Sequence, residues 1–302
     1  MTDRLFENKK IYIAGCGGML GDAFYKEFKN EYDLKCSDID TKEEWISFLD
    51  FRDFEAYQKE VMEFSPDYLF HLGAHTDLEY CEKNPDDTYE TNTKSVEHAL
   101  VIAKKLNIPL LFISTAGIFD GKKDVYDESD IPNPMGHYAK SKFLAEKYLQ
   151  ANSKKHLICR AGWMMGGGPS KDKKFIQKLI RQIENGATEL NIVHDKLGTP
   201  TYTHDFARNV KLLIKMEKCG LYNMVCQGVT SRLDVARELI KQLGLINTIN
   251  IIEVSSDYFK KEFFAPRPTS ERLINARLEE EGLSIMRNWE VSLKEYLEVA
   301  YN

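Results

Sequence analysis

The sequence predicts an α/β protein built on a doubly wound parallel sheet. Six apolar segments of strand length recur along the chain, amphipathic segments of helical length separate them, and a glycine-rich turn follows the first. Strands that are apolar on both faces and joined by helices are typical of a parallel sheet covered on both sides. Ligands of such sheets bind at the carboxyl ends of the strands, and we expect the functional site there.

The elements alternate regularly through the first half of the chain. The predicted strands are, in order, KKIYIAG, YDLKCSDI, YLFHLGA, PLLFIST, HLICRAG and LYNMVCQG. The clearest helical segments are GDAFYKEFKN, TNTKSVEHALVIAKKLN and AKSKFLAEKYLQANS. The third has apolar residues at helical spacing and ends in polar Asn-Ser, as helices of soluble proteins do.

A glycine-rich turn opens the first strand–helix unit. In KKIYIAGCGGMLGDAFYKEF, Gly15, Gly18 and Gly21 have the spacing G-x-x-G-x-x-G, directly after the strand and at the start of the helix. Glycines permit a tight turn and a close approach of backbone to a pyrophosphate, and the helix N-terminus offers free N–H groups to its charge. The pattern predicts a Rossmann-type dinucleotide site, to which Met19 and Leu20 also contribute.

An acidic residue follows at the end of the second predicted strand. Asp38 lies 23 residues after Gly15, in LKCSDID. A carboxylate there accepts hydrogen bonds from the adenosine ribose and repels a 2′-phosphate. We therefore predict NADH as the preferred cofactor and NADPH as the alternative, with Asp40 as the competing candidate for this carboxylate.

The alternating pattern weakens after residue 162, where WMMGGGPSKDKKF is glycine-rich and basic. We predict a dinucleotide-binding domain formed by residues 1–162 plus about 199–228. A smaller, discontinuous substrate-binding lobe is expected from about 163–198 plus 229–302.

The composition excludes several classes of protein. Of 302 residues, 43% are hydrophobic and 29% charged, which is ordinary for a soluble protein. The net charge of −6 and the lack of a basic block argue against nucleic acid or a membrane surface as partner. Six scattered cysteines without a C-x-x-C pair, and an N-terminus without a long apolar segment, predict a cytoplasmic protein with reduced thiols and no signal peptide.

Two Tyr-x-x-x-Lys pairs occur, Tyr25/Lys29 and Tyr138/Lys142. The first lies on the helix after the glycine turn, where it would pack or be solvated. The second follows Thr115, a hydroxyl at the carboxyl end of the strand in PLLFISTAGIFDG. An ammonium one helical turn away is expected to lower the phenol pKa from about 10, so that Tyr138 exchanges a proton with a carbonyl oxygen held by Thr115. We predict Thr115, Tyr138 and Lys142 as catalytic residues, the last two also touching the cofactor.

This arrangement resembles the extended short-chain dehydrogenases/reductases, which pair a Ser or Thr at this strand end with a later Y-x-x-x-K. Six further segments, spread over nearly the whole chain, look like the dTDP-4-dehydrorhamnose reductase branch of that family. They are, in order, HLGAHTDLEYCEKNPDDTYETN, ISTAGIFDG, YAKSKFLAEKY, RAGWMMGGG, DKLGTPTYTHDFA and PRPTSERL. The resemblance implies reduction of a nucleotide-linked 4-keto-6-deoxysugar in polysaccharide precursor synthesis. The substrate that this resemblance implies first is dTDP-4-dehydro-L-rhamnose, and the product is dTDP-L-rhamnose.

The resemblance also implies cofactor contacts beyond the glycine turn. It implies that Asp50 and Phe51, in FLDFRD, border the adenine. It implies further that the cofactor is lined by Gly73, Ala74 and Asn92.

On the substrate side, the resemblance implies that Thr76 and Trp163 face the sugar. Arg267, between two prolines in APRPTS, is either a bidentate ligand of the nucleotide diphosphate or a surface arginine in a rigid turn. The chain departs from the branch directly after the catalytic Thr. Relatives have Asp-Tyr there and this sequence has Ala116 and Gly117, so that a carboxylate and a ring are missing and the sugar's configuration is left open.

No metal site is predicted, because His71 and His75 fall on opposite sides of a strand end and lack a third ligand of suitable spacing. The basic residues Lys171, Lys173 and Lys174 are interpreted as a solvated helix start.

Other functions keep much of this pattern. A nucleotide-sugar 4-epimerase would use the same trio and recycle its hydride, and a non-catalytic regulatory subunit would keep the fold and the cofactor pocket. A 4,6-dehydratase is disfavoured, because Ala116 and Gly117 cannot supply the additional acid and base that eliminate water. The sequence leaves open the nucleotide, the sugar stereochemistry and the oligomeric state, a homodimer included.

Overall fold

The structure is a computed structural model in which residues 9–301 are described. It contains fourteen strands within that range. They are β1 (Lys10–Ala14), β2 (Asp33–Asp38), β3 (Ile46–Phe48), β4 (Tyr68–His71), β5 (Leu110–Thr115), β6 (His156–Ala161), β7 (Trp163–Met165), β8 (Glu189–Val193), β9 (Leu197–Gly198), β10 (Pro200–Tyr202), β11 (Gly220–Asn223), β12 (Thr230–Ser231), β13 (Asn250–Val254) and β14 (Ser270–Glu271).

Helices connect these strands. They are α1 (Met19–Phe28), α2 (Phe54–Phe64), α3 (Leu78–Lys83), α4 (Pro85–Tyr89), α5 (Ser95–Leu106), α6 (His137–Asn152), α7 (Gly168–Lys171), α8 (Phe175–Glu184), α9 (Thr203–Lys215), α10 (Arg232–Gln242), α11 (Ala276–Glu280) and α12 (Trp289–Tyr301). A π-helical turn (Glu90–Lys94) precedes α5, and short 3₁₀ turns occupy Ala116–Ile118 and Ser256–Phe259. None of the helices in residues 9–301 is both long enough and apolar enough to cross a membrane.

Seven strands form one parallel sheet in the order β11-β6-β5-β4-β1-β2-β3. The predicted doubly wound α/β fold is confirmed, and each of the six predicted segments overlaps a strand of this sheet. The short strand β3 was missed, because its three residues include an exposed Phe48 and form no apolar segment of strand length.

Alternating side chains of each strand enter different hydrophobic cores. In β1, Ile11 and Ile13 belong to the core beneath α1 and α9, whereas Tyr12 and Ala14 belong to the core beneath α2, α5 and α6. This is why the strands read as continuously apolar: both faces of the sheet are covered.

A third core lies in the second half of the chain. It joins α8, α10 and α12 with the parallel pair β8–β13, around buried residues such as Leu190, Leu239 and Leu293. Leu278 and Met286, by contrast, pack into the core beneath α1 and α9. The division into a dinucleotide-binding domain and a substrate-binding lobe, with the boundaries given above, stays a prediction.

Candidate active site

The glycine-rich turn lies at the carboxyl end of β1. Gly15 has a φ of +80°, and a Cβ on it would lie 2.2 Å from the backbone nitrogen of Gly73, so that only glycine fits. A Cβ on Gly21 would lie 2.1 Å from the carbonyl oxygen of Cys16, so α1 packs closely onto the turn. Gly18 is the N-cap of α1, and a Cβ there would meet nothing within 4 Å. The turn thus exposes backbone at the start of a helix, which suits a pyrophosphate.

Met19 and Leu20 form the first turn of α1, where backbone N–H groups lack helical acceptors. The Leu20 side chain is buried in the core, so this residue can offer a ligand its backbone but not its side chain.

Asp38, at the end of β2, is held against the glycine turn. Its Oδ2 accepts a hydrogen bond from the N–H of Gly17 at 2.8 Å, and its Oδ1 accepts one from the N–H of Asp40 at 2.9 Å. The Asp40 carboxylate instead forms an exposed ion pair with Lys42. Of the two candidates, Asp38 is therefore the carboxylate beside the turn. Sequence reasoning did not single out Gly17, whose Cβ would lie only 3.0 Å from Cγ of Asp38.

Two residues expected at the adenine are fixed by neighbours. The ring of Phe51 lies against Gly73, where an added Cβ would be 2.1 Å from Cε1 of the ring. Asp50 accepts hydrogen bonds from Nε and Nη2 of Arg52, at 2.9 and 2.6 Å, and these bonds lower the pKa of its carboxyl group. Arg52 also reaches Asp87 at 3.1 Å.

Asn92 is fully buried in the π-helical turn and connects the loop after β4 to helix α6. Its side chain bonds the backbone N–H and C=O of His75, one residue after Ala74, at 2.8 and 3.0 Å. Its Nδ2 also donates to Oγ of Ser141 at 3.1 Å, and that hydroxyl donates to the carbonyl of Tyr138 at 2.8 Å. Asn92 therefore helps to hold the first turns of α6 against the loop after β4.

The three predicted catalytic residues lie at the end of β5 and on the first two turns of α6. Burial raises the pKa of Tyr138 to about 12, against the opposing effect of the neighbouring Thr115 hydroxyl, whose Oγ1 accepts the N–H of Gly117 at 3.1 Å. Lys142 is buried with its Nζ 4.1 Å from the centre of the Phe112 ring. Burial lowers the pKa of Lys142 to about 7, against the opposing charge of Glu146. The expected lowering of the Tyr138 pKa by Lys142 is therefore not observed, because desolvation dominates at both groups.

The residues of the other Tyr-x-x-x-Lys pair, Tyr25 and Lys29, pack against neighbouring aromatic rings. Tyr25 stacks on Trp45 with ring centres 4.0 Å apart, and Nζ of Lys29 lies 5.2 Å from the Tyr25 ring centre.

Trp163 is held tightly between three neighbours. Its indole lies over Gly198, where a Cβ would be 2.2 Å from the ring. The Arg232 guanidinium lies 3.7 Å from the indole ring centre, and Nε1 of Trp163 donates to Oε2 of Glu271 at 2.8 Å. Burial lowers the pKa of Arg232 to about 10, and the charge of Glu271 opposes that shift.

The remaining predicted substrate residues have protein partners. Nζ of Lys174 donates to both the carbonyl and Oγ1 of Thr76, at 3.1 Å each. Arg267 donates from Nη1 and Nη2 to the two carboxylate oxygens of Glu79, at 2.7 and 2.8 Å. Its bidentate face is thus directed at a carboxylate of the chain itself, and its role with a diphosphate stays a prediction.

Sequence reasoning missed three residues of this region. Glu271 lies inside the quoted PRPTSERL segment, and Arg232 begins α10, yet neither has a spacing that signals its meeting with Trp163. Lys174 was grouped with a solvated helix start, which is wrong for this side chain, because it is half-buried against Thr76.

His71 is a core residue that bonds Tyr57 at 3.2 Å and Ser95 at 3.0 Å, and burial lowers its pKa to about 3. Within residues 9–301, no group of three or more His, Cys, Asp or Glu side chains is arranged to hold a metal ion.

This combination of sheet, glycine turn and Thr–Tyr–Lys trio can be compared with known proteins. Residues 9–302 match the family described as RmlD substrate binding domain. The chain belongs to this family. The resemblance inferred from the sequence motifs is thereby confirmed.

Several individual proteins are similar over almost their whole length. The spore coat polysaccharide biosynthesis protein SpsK of Bacillus subtilis is 28% identical, across 96% of this chain and 97% of SpsK. A solved dTDP-4-dehydrorhamnose reductase from Clostridium acetobutylicum is 30% identical with a TM-score of 0.86, covering 96% of this chain and 99% of that one. The Bacillus anthracis dTDP-4-dehydrorhamnose reductase, solved in complex with NADP, is 25% identical with a TM-score of 0.87, covering 97% and 100%.

Proposed function

We propose that this chain is an oxidoreductase that uses NADH or NADPH to reduce a nucleotide-linked 4-keto-6-deoxysugar. The proposal is carried by the placement of Thr115 at the carboxyl end of β5, with its hydroxyl beside Tyr138 on the first turn of α6 and Lys142 one helical turn further on. Membership of the family, and relatives named dTDP-4-dehydrorhamnose reductase, support the same activity.

The chain has a cradle that fits a dinucleotide. Added Cβ atoms at Gly15 and Gly73 would collide with backbone and with Phe51, so these glycines let the turn after β1 and the loop after β4 pack closely together, whereas Gly18 leaves open space at the start of α1. Gly18 and the first turn of α1 would hold the pyrophosphate, and Asp38 the adenosine ribose. When bound, the cofactor supplies the hydride that reduces the ketone.

The protein's own residues supply the proton and hold the oxygen. A pKa of about 12 keeps Tyr138 protonated near neutral pH, which is the form a reduction requires of its proton donor. The Thr115 hydroxyl, which lies beside that phenol, would hold the same carbonyl oxygen. Lys142 would bond the nicotinamide ribose and stabilise the phenolate that remains after the transfer.

We propose NADH as the preferred cofactor. The Asp38 carboxylate is oriented by two backbone N–H groups beside the glycine turn, and a 2′-phosphate brought there would meet a fixed negative charge. The Bacillus anthracis relative was solved with NADP, so the preference needs a direct measurement. Titrating both cofactors into the wild type and Asp38→Asn measures it. Tighter NADPH binding by the wild type, or an unchanged ratio in the variant, would refute the assignment.

The first-choice substrate is dTDP-4-dehydro-L-rhamnose, with dTDP-L-rhamnose as product, for polysaccharide precursor synthesis. The decisive experiment follows NADH oxidation with a panel of nucleotide 4-keto-6-deoxysugars that includes this compound. Turnover of another ketosugar alone would replace the named substrate and keep the reaction class. If no ketosugar is reduced, a non-catalytic subunit becomes the better interpretation, and interconversion of epimers without net NADH consumption would indicate a 4-epimerase.

A further inference from the structure

Glu271 comes from a distant part of the chain, and its carboxylate lies beside Gly117, two residues after the catalytic threonine. An added Cβ on Gly117 would lie 3.2 Å from Oε1 of Glu271 and 3.5 Å from Oγ1 of Thr115. The two oxygens therefore flank the same point, directly after the catalytic strand end. This is where the sequence has Ala116 and Gly117, so a glycine without a side chain leaves room for Glu271.

The backbone around Glu271 is firmly anchored. Residue 271 pairs with Gly198 in the short parallel ladder between β14 and β9. The next residue, Arg272, donates from Nε to the carbonyl of Thr230 at 3.1 Å and from Nη1 to Asp124 at 2.7 Å. A carboxylate on such a support keeps its position, as specific recognition requires.

The two carboxylate oxygens of Glu271 have different surroundings. Oε2 accepts a hydrogen bond from the indole N–H of Trp163 at 2.8 Å. Within residues 9–301, the Glu271 carboxylate accepts no other hydrogen bond. Oε1 lies on the side of Gly117 and Thr115, with acceptor capacity left. The Arg232 guanidinium, stacked on the Trp163 ring, supplies a positive charge near this carboxylate.

We propose that Glu271 is a specificity-determining residue that accepts a hydrogen bond from the sugar hydroxyl next to the reacting ketone. In a 4-keto-6-deoxyhexose the only hydroxyl adjacent to the ketone is at C3, because C5 carries the ring oxygen and the methyl group. With the ketone oxygen at Thr115 and Tyr138, the 3-hydroxyl is the substrate group that a neighbouring carboxylate would meet. This assignment rests on the proposed function.

The test compares Glu271→Gln with the wild type on two substrates, a dTDP-4-keto-6-deoxyhexose and its analogue lacking the 3-hydroxyl. Glutamine keeps the length of the side chain and removes its charge. We expect kcat/KM of Glu271→Gln to fall at least about tenfold on the first substrate and less than about threefold on the second, the scale of one charge-assisted hydrogen bond. Cofactor affinity should stay unchanged. The matched control is Asp124→Asn, which loosens the same strand through Arg272 and should lower both rates equally or not at all.

A purely structural role for Glu271 predicts a different result. If Glu271 only orients Trp163, Glu271→Gln and Trp163→Phe should each reduce kcat/KM equally on both substrates, and the double variant should be no worse than either. That outcome overturns the proposal even if the wild type reduces the ketosugar well.

Equilibrium binding gives a readout that does not require turnover. Affinities for dTDP and dTDP-L-rhamnose are measured by calorimetry with oxidised cofactor present. We expect the preference for the sugar-bearing ligand to shrink about tenfold in Glu271→Gln, with dTDP affinity unchanged. An unchanged preference refutes the role of Glu271. A wild type that neither prefers the sugar-bearing ligand nor reduces any ketosugar refutes the proposed function together with it.

Discussion

Lys142 makes the cofactor-free protein less stable at neutral pH than at high pH, and Lys142→Met should remove this dependence. The ammonium is buried over the Phe112 ring, and its pKa falls from 10.5 to about 7. Between those values the unfolded chain binds the proton and the folded chain does not. Stability therefore decreases as the pH falls from about 10.5 to about 7 and changes no further below that.

The size of the effect follows from the shift. One pKa unit corresponds to about 1.4 kcal/mol, so the full shift corresponds to roughly 5 kcal/mol between the two ends of that range. Methionine keeps the length and packing of the side chain without the charge. The variant should thus gain stability relative to the wild type as the pH is lowered.

Urea unfolding of both proteins at several pH values between about 6.5 and 10 measures the difference. Lys147→Met is the matched control, because Lys147 is an exposed lysine of the same helix and also lies near a ring, 5.8 Å from the centre of Phe143. Its difference from the wild type should be nearly constant with pH. A constant difference for Lys142→Met as well would show that Lys142 is not desolvated in the folded state, and the reasoning about its burial would be wrong. Turnover by Lys142→Met should fall at least about a hundredfold, so the stabilising change is also an inactivating one.

Three further predictions concern the site and its support. Tyr138→Phe should lower turnover at least about a hundredfold, whereas Tyr25→Phe should change it little, and equal losses in NADH oxidation would mean that the wrong pair was chosen. Gly15→Ala should abolish cofactor binding or destabilise the fold, because its Cβ would lie 2.2 Å from the Gly73 nitrogen. Gly18→Ala, whose Cβ would meet nothing within 4 Å, should unfold like the wild type in a thermal melt. Equal losses of stability in the two variants would contradict the description of the glycine turn. Arg160→Met should lower the free energy of unfolding in urea by roughly 3–5 kcal/mol, because it leaves the Glu146 carboxylate buried without a partner. In the wild type the Arg160 guanidinium bonds both oxygens of that carboxylate, at 2.9 and 2.8 Å. A loss under about 1 kcal/mol would show that water reaches this pair.

Local patterns in the sequence were enough for six of the seven strands of the sheet and for the residues at its carboxyl edge. The glycine spacing, the acid that ends β2 and the hydroxyl that ends β5 each belong to one strand and its following turn. In a parallel sheet all strand ends meet at one edge, so local assignments translate directly into proximity. Tyr138 and Lys142 could be located for a similar reason, since four residues on a helix are one turn apart.

Pairings between distant segments were decided by the tertiary structure alone. Glu271 is placed beside Gly117, two residues after the catalytic threonine, by a two-residue ladder with β9, and Arg232 stacks on a tryptophan 69 positions earlier in the chain. No sequence periodicity indicates that such residues meet, because the short strands and loops of the second half of the chain are too short to show a regular pattern of apolar residues. The protonation states were also beyond the sequence: the spacing of Tyr138 and Lys142 suggested a lowered phenol pKa, but their burial, which depends on the whole fold, raises it. The sequence by itself determined which chemical groups lie at the edge of the sheet. The packing around these groups decided their protonation states and their partners, because desolvation and long-range contacts exist only in the folded chain.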